Sequence, residues 1–364
     1  MKLLHIIETL GSGGAERLLV NILPELIRQG VDVEVVALSP PYDLKANLEQ
    51  EGVTVHCLPR RHKWNLLSAA YQLSNLAQER RANGLHAHLY FPTIITALAK
   101  ILRFWRGVTF VTFHNLAYAG ANKQTWKLAI RLRIARILVN WGIDSTQAVS
   151  AATATHYSDV YKLKKVDVLH NGIDMATINS INEVQGDSIV LPGRLVPEKG
   201  HLILIAALKK LDKKCPPVIF AGGGPLRSKV EMEIQNLGLT VIITGSINHN
   251  DMLTTIARAR LVVIPSLYEG FGLTALEAIA LGRPVVGTTA GGIPEVLGNL
   301  GLTVPPGDSD ALALAIGAAL SDNAWCTAQK KAGPRRAERF ETKTIASQQI
   351  KLYRQVFKEK GFRP

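Results

Sequence analysis

The chain has 364 residues, 47% hydrophobic and 20% charged, which exceeds what one compact core holds and argues for two domains. Three cysteines (Cys57, Cys215, Cys326) exclude a disulfide scaffold and suit a reducing compartment, and this much apolar content excludes a disordered chain. The net charge of +13 is uneven: residues 52–143 carry +12 and 330–364 carry +8, while 176–329 sum to −2, so anionic partners are expected at two segments.

In chain order, residues 2–8 read as a strand, 15–28 as a helix, 31–38 and 53–58 as strands and 66–81 as a helix. Then come 85–90 (strand), 93–102 (helix), 108–113 (strand), 125–141 (helix) and 146–150 (strand). The pattern restarts with strands at 188–191, 218–221, 241–244, 261–265 and 285–287. Helices at 201–211, 226–237, 252–259 and 273–281 separate them, and 309–320 and 341–360 read as further helices. Short strands alternating with helices predict parallel α/β sheets. A seam near 171–187 predicts two doubly wound domains, with the polar stretch 179–188 as linker. The apolar run 89–102 is broken by Pro92 and Lys100 and is too short to span a bilayer. The N-terminus lacks the pattern of a signal peptide, so a cytoplasmic location is expected.

Open α/β sheets bind ligands beyond the carboxyl ends of their strands, and the glycines lie there. Gly11-Ser12-Gly13-Gly14-Ala15-Glu16 follows the first strand and opens a helix whose amides suit an anion; a plain structural turn reads equally well. The spacing is not that of a dinucleotide fingerprint. Gly193-Arg194-Leu195-Val196-Pro197-Glu198-Lys199-Gly200 follows the first strand of the second half. Its two cations precede a helix start, an arrangement suited to a diphosphate, against the alternative of solvated loop charges. Gly222-Gly223-Gly224-Pro225 is by itself a tight turn. In 265–277, Glu269 sits at a loop mouth and Glu277 on the helix that Gly272 and Leu273 begin. Carboxylates there could accept hydrogen bonds from vicinal hydroxyls, and Glu277 on an apolar helix needs a partner.

These motifs, with Asn171-Gly172-Ile173-Asp174 and Gly291-Gly292-Ile293-Pro294-Glu295, occur in an order that resembles retaining glycosyltransferases of the GT-B fold, family 4. The resemblance spans nearly the whole chain. It implies two Rossmann-like α/β domains facing across a cleft: 1–175 for the acceptor, 176–340 for a nucleotide sugar, and a helix at 341–364 returning to the first. It also implies roles. Arg194 and Lys199 would bind the diphosphate, and Glu277 the ribose. Glu269, with the amides of Phe271, Gly272 and Leu273, would hold the sugar and its phosphate. Gly13 and Gly14 would close over the phosphates, the base would lie near Gly245-Ser246-Ile247, and His114 would contact the transferred sugar. His5, His56, His86, His88, His170 and His201 read as structural. No cofactor beyond the nucleotide-sugar co-substrate, UDP-linked in preference to GDP-linked, and no metal are expected.

Residues 52–143 also hold Trp64, Trp105, Trp126 and Trp141. Lys100, Arg103 and Arg106 lie beside Phe104 and Trp105, and Lys123, Lys127 and Arg131 make a second line. Basic residues with aromatics suit an anionic membrane surface, as the lipid-linked saccharide acceptors of the resembled family would require. A solvated basic surface over core tryptophans is the plainer alternative. Nucleic acid is disfavoured because no reader motif is present. A GT-B epimerase or phosphorylase remains the enzymatic rival, and a dinucleotide oxidoreductase is weaker because no fingerprint follows either first strand.

Overall fold

The computed structural model describes residues 1–11, 13–58, 65–117, 126–182, 186–211 and 215–362. The chain divides into two units, one of Met1–Gly172 with Thr342–Pro364, the other of Ile173–Glu341. The division falls at 172/173, so the stretch 179–188 lies inside the second unit and is not a linker. Its first residues belong to a short helix, and Ser188 opens a strand.

The first unit alternates β1 (Lys2–Ile7), α1 (Gly14–Arg28), β2 (Asp32–Ala37), α2 (Lys45–Gln50), β3 (Thr54–Cys57), α3 (Leu66–Glu79) and β4 (Gly84–His88). It continues through α4 (Tyr90–Ile101), β5 (Val108–Phe113), α5 (Trp126–Gly142), β6 (Ser145–Ala148), α6 (Ala151–Tyr161) and β7 (Asp167–Val168). The strands pair in parallel in the order β3-β2-β1-β4-β5-β6-β7.

The second unit runs α7 (Met175–Ser180), β8 (Ser188–Pro192), α8 (His201–Leu208), β9 (Val218–Ala221), α9 (Arg227–Asn236), β10 (Val241–Ile243) and α10 (His249–Ala257). Then follow β11 (Ala259–Ile264), α11 (Leu273–Ala280), β12 (Val285–Thr288), α12 (Ile293–Leu297), β13 (Leu302–Val304), α13 (Ser309–Ser321) and α14 (Asn323–Ala337). Its parallel order is β10-β9-β8-β11-β12-β13. The alternation read from the sequence is thus present as two parallel α/β sheets. Helix α14 lies outside that reading because Gly333 and Pro334 interrupt its pattern. The structure explains Gly333 by contact: a Cβ there would stand 2.4 Å from the Ile279 carbonyl of α11.

The last helix, α15 (Thr342–Glu359), packs in the first unit, where Ile345, Ile350, Tyr353 and Phe357 are buried with Leu3, Phe110 and residues of α1. Burying a side chain of this size contributes roughly 1.5–3 kcal/mol, so these four anchor the helix. Asp144 holds its end, meeting Lys360 at 2.8 Å and Lys100 at 3.0 Å. At the amino end of the sheet, buried Glu34 of β2 meets Lys2 at 2.7 Å, His56 at 2.6 Å and Arg80 through two nitrogens.

Burial alone would raise the carboxyl pKa of Glu34, but hydrogen bonds from Arg80, Lys2 and His56 outweigh it and hold the value down to about 2. The folded pKa lies below the unfolded one, so this contribution is complete above pH 4.5 and lost as pH falls towards 2. Glu34→Gln should lower unfolding free energy at pH 7 by the order of 2 kcal/mol and shrink the loss on acidification. Urea melts of both proteins at pH 7 and 3.5 check this; equal pH dependence in the two would remove Glu34 from the acid response.

Candidate active site

Strand order reverses at β8, which has β9 on one side and β11 on the other. Such a switch point leaves a crevice outside the carboxyl ends of the strands. The loop 193–200 is bound to both neighbours. The amide of Leu267 donates to the Glu198 carbonyl at 2.8 Å, and that of Leu195 donates to the Gly223 carbonyl at 2.9 Å. Two glycines permit this approach of backbones: a Cβ on Gly222 would stand 2.1 Å from the Gly193 carbonyl, and one on Gly291 1.5 Å from that of Glu269. The Gly222 and Gly291 motifs thus shape the loops around the crevice.

Within this frame Lys199 Nζ lies 2.6 Å from Glu269 Oε2, and the Ser266 hydroxyl donates to the same oxygen at 3.4 Å. The residues read separately as a diphosphate ligand and a sugar ligand are here one ion pair. Arg194 is exposed and has no ion-pair partner among the described residues. Gly272 precedes the first turn of α11 and Leu273 opens it, so that turn presents amides without intrahelical acceptors. Phe271 is buried edge-on to Phe340 at 5.6 Å, which leaves its main chain as the part facing the loop. Glu277, on the second turn, takes as partner His249, whose Nε2 lies 2.8 Å from its Oε1. His249 is missing from the sequence reading, although it follows Gly245-Ser246-Ile247 by two residues and opens α10. Ile247 itself is half-buried in the loop after β10.

In the first unit, Gly13 is the N-cap of α1 and Gly14 its first residue. The Glu16 carboxylate folds back beside Gly13 and accepts from the Thr9 hydroxyl at 3.0 Å. His114 follows β5 and is half-buried, with Nε2 2.9 Å from His88 Nδ1. Burial lowers the imidazole pKa of His5 to about 3 and of His114 to about 4, and those of His86 and His88 well below 6.5. His201, packed on Phe220 at 5.1 Å, is lowered to about 4 by burial and then by Lys199.

The basic, aromatic segment resolves differently from its sequence reading. Trp105 is buried in the core with Leu4, Ile6 and Ile95, so it is no interfacial aromatic. Lys100 is spent on Asp144 rather than presented to solvent. On α5, Ala135 and Val139 face inward, while Trp126, Ile130, Ile134, Ile137 and Trp141 form an exposed row. The helix is apolar on two opposite sides, which cancels the periodic signal and hides this row from sequence patterning. Trp64 and Lys123 lie outside the described residues, as do Ser12 and the side chain of Lys127.

Residues 178–336 match the family Glycosyl transferases group 1, and residues 12–177 match Glycosyltransferase Family 4. An uncharacterised glycosyltransferase of Methanocaldococcus jannaschii is 32% identical over 325 residues, 82% of either chain. The O-antigen chain mannosyltransferase C of Escherichia coli is 25% identical over 97% of both chains. In fold, the chain is similar to Anabaena HepE, solved in complex with UDP-glucose, with TM-score 0.81 and 24% identity over 97% of this chain and 99% of that one.

Three buried histidines of the first unit, His5, His86 and His88, and half-buried His114 carry a stability consequence. Their folded pKa values lie below 6.5, so the unfolded chain binds more protons, and stability present above pH 6.5 is lost as pH falls. Between pH 7 and 5.5, above the carboxylate range, each should cost about 1 kcal/mol. Urea unfolding followed by tryptophan fluorescence should show a marked drop in midpoint across that interval; an unchanged midpoint would mean that the folded cluster takes up protons.

Proposed function

The chain belongs to the group 1 glycosyltransferases and has their GT-B architecture, and from that premise we propose that it transfers a hexose from a nucleoside-diphosphate sugar, UDP-linked in preference, to a saccharide or lipid-linked acceptor with retention of anomeric configuration. The observation that carries this reading is the Lys199–Glu269 pair at the switch point, beside exposed Arg194 and the first turn of α11. The UDP-glucose complex of HepE supports the choice of carrier. The O-antigen mannosyltransferase supports a role in building cell-surface polysaccharide or glycolipid.

In this mechanism the departing nucleoside diphosphate gains negative charge as the glycosidic bond breaks. Arg194, Lys199 and the amides of Gly272 and Leu273 stabilise it, with no metal required. Lys199 is held in place by Glu269 until the diphosphate competes for its charge, and Glu269 is then released to accept from sugar hydroxyls. Glu277, oriented by His249, accepts from the ribose hydroxyls. The loop at Ile247 borders the base. Double displacement needs a carboxylate nucleophile on the far face of the sugar. Same-face attack, with the departing phosphate taking the acceptor proton, is the proposed route.

The acceptor side works at an anionic membrane. No helix among the described residues is long and apolar enough to cross one; the proposed contact is peripheral, on the cytoplasmic face. The exposed row on α5 extends about 22 Å at 1.5 Å per residue, has a tryptophan at each end (69% and 80% exposed) and is flanked by exposed Arg133 and Arg136. An apolar row with aromatic ends and cationic borders matches the chemistry of an anionic bilayer surface.

Lys199→Ala should lower kcat at least about 10²-fold with a screened nucleotide-sugar donor, the scale of losing one placed charge stabiliser. Steady-state kinetics with kcat near wild type would overturn its role. Separately, the protein should float with phosphatidylglycerol-containing vesicles at low salt, and Ile134→Asp with Ile137→Asp should abolish flotation. No flotation, together with a concentration-dependent dimer in light scattering, would assign the row to a second copy of the chain instead.

A further inference from the structure

Parallel pairing assembles a file of histidines in the first unit. His5 of β1 is the register partner of His86 on β4, and His88 is that of Thr112 on β5. Side-chain contacts run on from there. His5 Nδ1 lies 3.0 Å from His88 Nε2, and His88 Nδ1 lies 2.9 Å from His114 Nε2. At the other end, the Tyr353 hydroxyl of α15 lies 2.5 Å from His86 Nδ1 and 3.5 Å from His5 Nε2. His86 Nε2 lies 2.8 Å from the Thr112 hydroxyl, which donates to Gln147 Oε1 at 3.5 Å. His114 Nδ1 is buried and has no partner among the described residues.

A neutral imidazole carries one N–H, so a file of neutral rings must be polarised in one direction. The Tyr353 contacts decide which. Bonds donated by a hydroxyl are shorter than those donated by N–H, so the phenol hydrogen lies on the short contact to His86. His86 therefore donates from Nε2 to Thr112, whose own hydrogen goes to Gln147, in agreement from the far side. The phenol then turns a lone pair to His5, which carries its hydrogen on Nε2. His5 Nδ1 accepts from His88, and His88 Nδ1 accepts from the Nε2–H of His114. The one position left bare is His114 Nδ1.

His114 is among the residues lining a cavity of about 20 Å³, which admits one water-sized group. The same cavity is lined by Asn171, whose Oδ1 is unpartnered, and Gln349, whose Nε2 is unpartnered. A hydroxyl has one hydrogen to give, so it would donate to His114 Nδ1 and accept from Gln349 Nε2, and Asn171 Oδ1 would need a second donor.

We propose that Tyr353, His5 and His88 are positioning residues that hold His114 as the neutral Nε2–H tautomer, so that its Nδ1 accepts a hydrogen bond from a hydroxyl group. That the hydroxyl belongs to the transferred sugar rests on the glycosyltransferase reading; the tautomer does not. The rings of His5, His86 and His88 also place ligating nitrogens within 4.8 Å of one another. All six of those nitrogens are engaged in the file, so a metal ion would have to break it.

The test reads tautomers in the full chain without donor, by long-range proton–nitrogen correlation on protein labelled with ¹⁵N-histidine, with His114 assigned by substitution. The expected spectrum has His114 protonated on Nε2 and bare on Nδ1. His88→Phe should let His114 populate both tautomers and lower kcat/KM on the order of tenfold, the scale of one misdirected hydrogen bond. His88→Asn, whose side-chain oxygen can replace the Nδ1 acceptor, should restore both. If His88→Phe does not fold, the wild-type spectrum with His88→Asn decides. A hydrogen on His114 Nδ1 in the wild type, or a stoichiometric metal by mass spectrometry, would overturn the assignment. A correct tautomer with no transfer from any nucleotide sugar would sink the glycosyltransferase reading alone.

Discussion

Both units depend on one constraint, the parallel pairing of every strand in the two sheets. A parallel strand must be followed by a crossover, so all loops that leave the carboxyl ends emerge along one edge, while helices cover both faces. Residues far apart in sequence become neighbours wherever strand order reverses. Lys199 and Glu269, seventy residues apart, meet because β8 and β11 are adjacent. His5 and His86 meet because β1 and β4 are adjacent.

Close loops require close backbones. Side chains are stripped from the loop after β9 and from the one after β12 where they press on the loops after β8 and β11. The charged groups are then held by each other: Lys199 by Glu269, Glu277 by His249. Paired groups of this kind remain in place without a ligand, so a ligand that exchanges one partner for another need not order a loose side chain. That lowers the entropic cost of binding.

The first unit is closed by the far end of the chain. Tyr353 and Phe357 of α15 fill the face of β1, β4 and β5, and the phenol hydroxyl of Tyr353 also enters the histidine file. One side chain therefore contributes both to the core and to the file of contacts that ends at His114. The polar file lies within an apolar core, and its members keep neutral charge states that a wetter site would not impose.

The alternation of strands and helices was legible because period and length are local properties, and the order of glycine motifs was legible because turns are local too. Which side chains face one another was not. Lys199 and Glu269 each read as a ligand of something absent, and His249 gave no signal because its partner is twenty-eight residues away on another helix. The same holds for the tryptophans: Trp105 and Trp141 look alike in sequence, yet one is buried and the other stands in water. Even α5, apolar on two sides, shows no face until α4 and α6 cover one of them. The sequence by itself determined the uneven +13, the fold class and the family. The tertiary structure alone decided which charges pair, which rings are buried and which row is exposed, because those depend on strand neighbours and helix covering that no local pattern encodes.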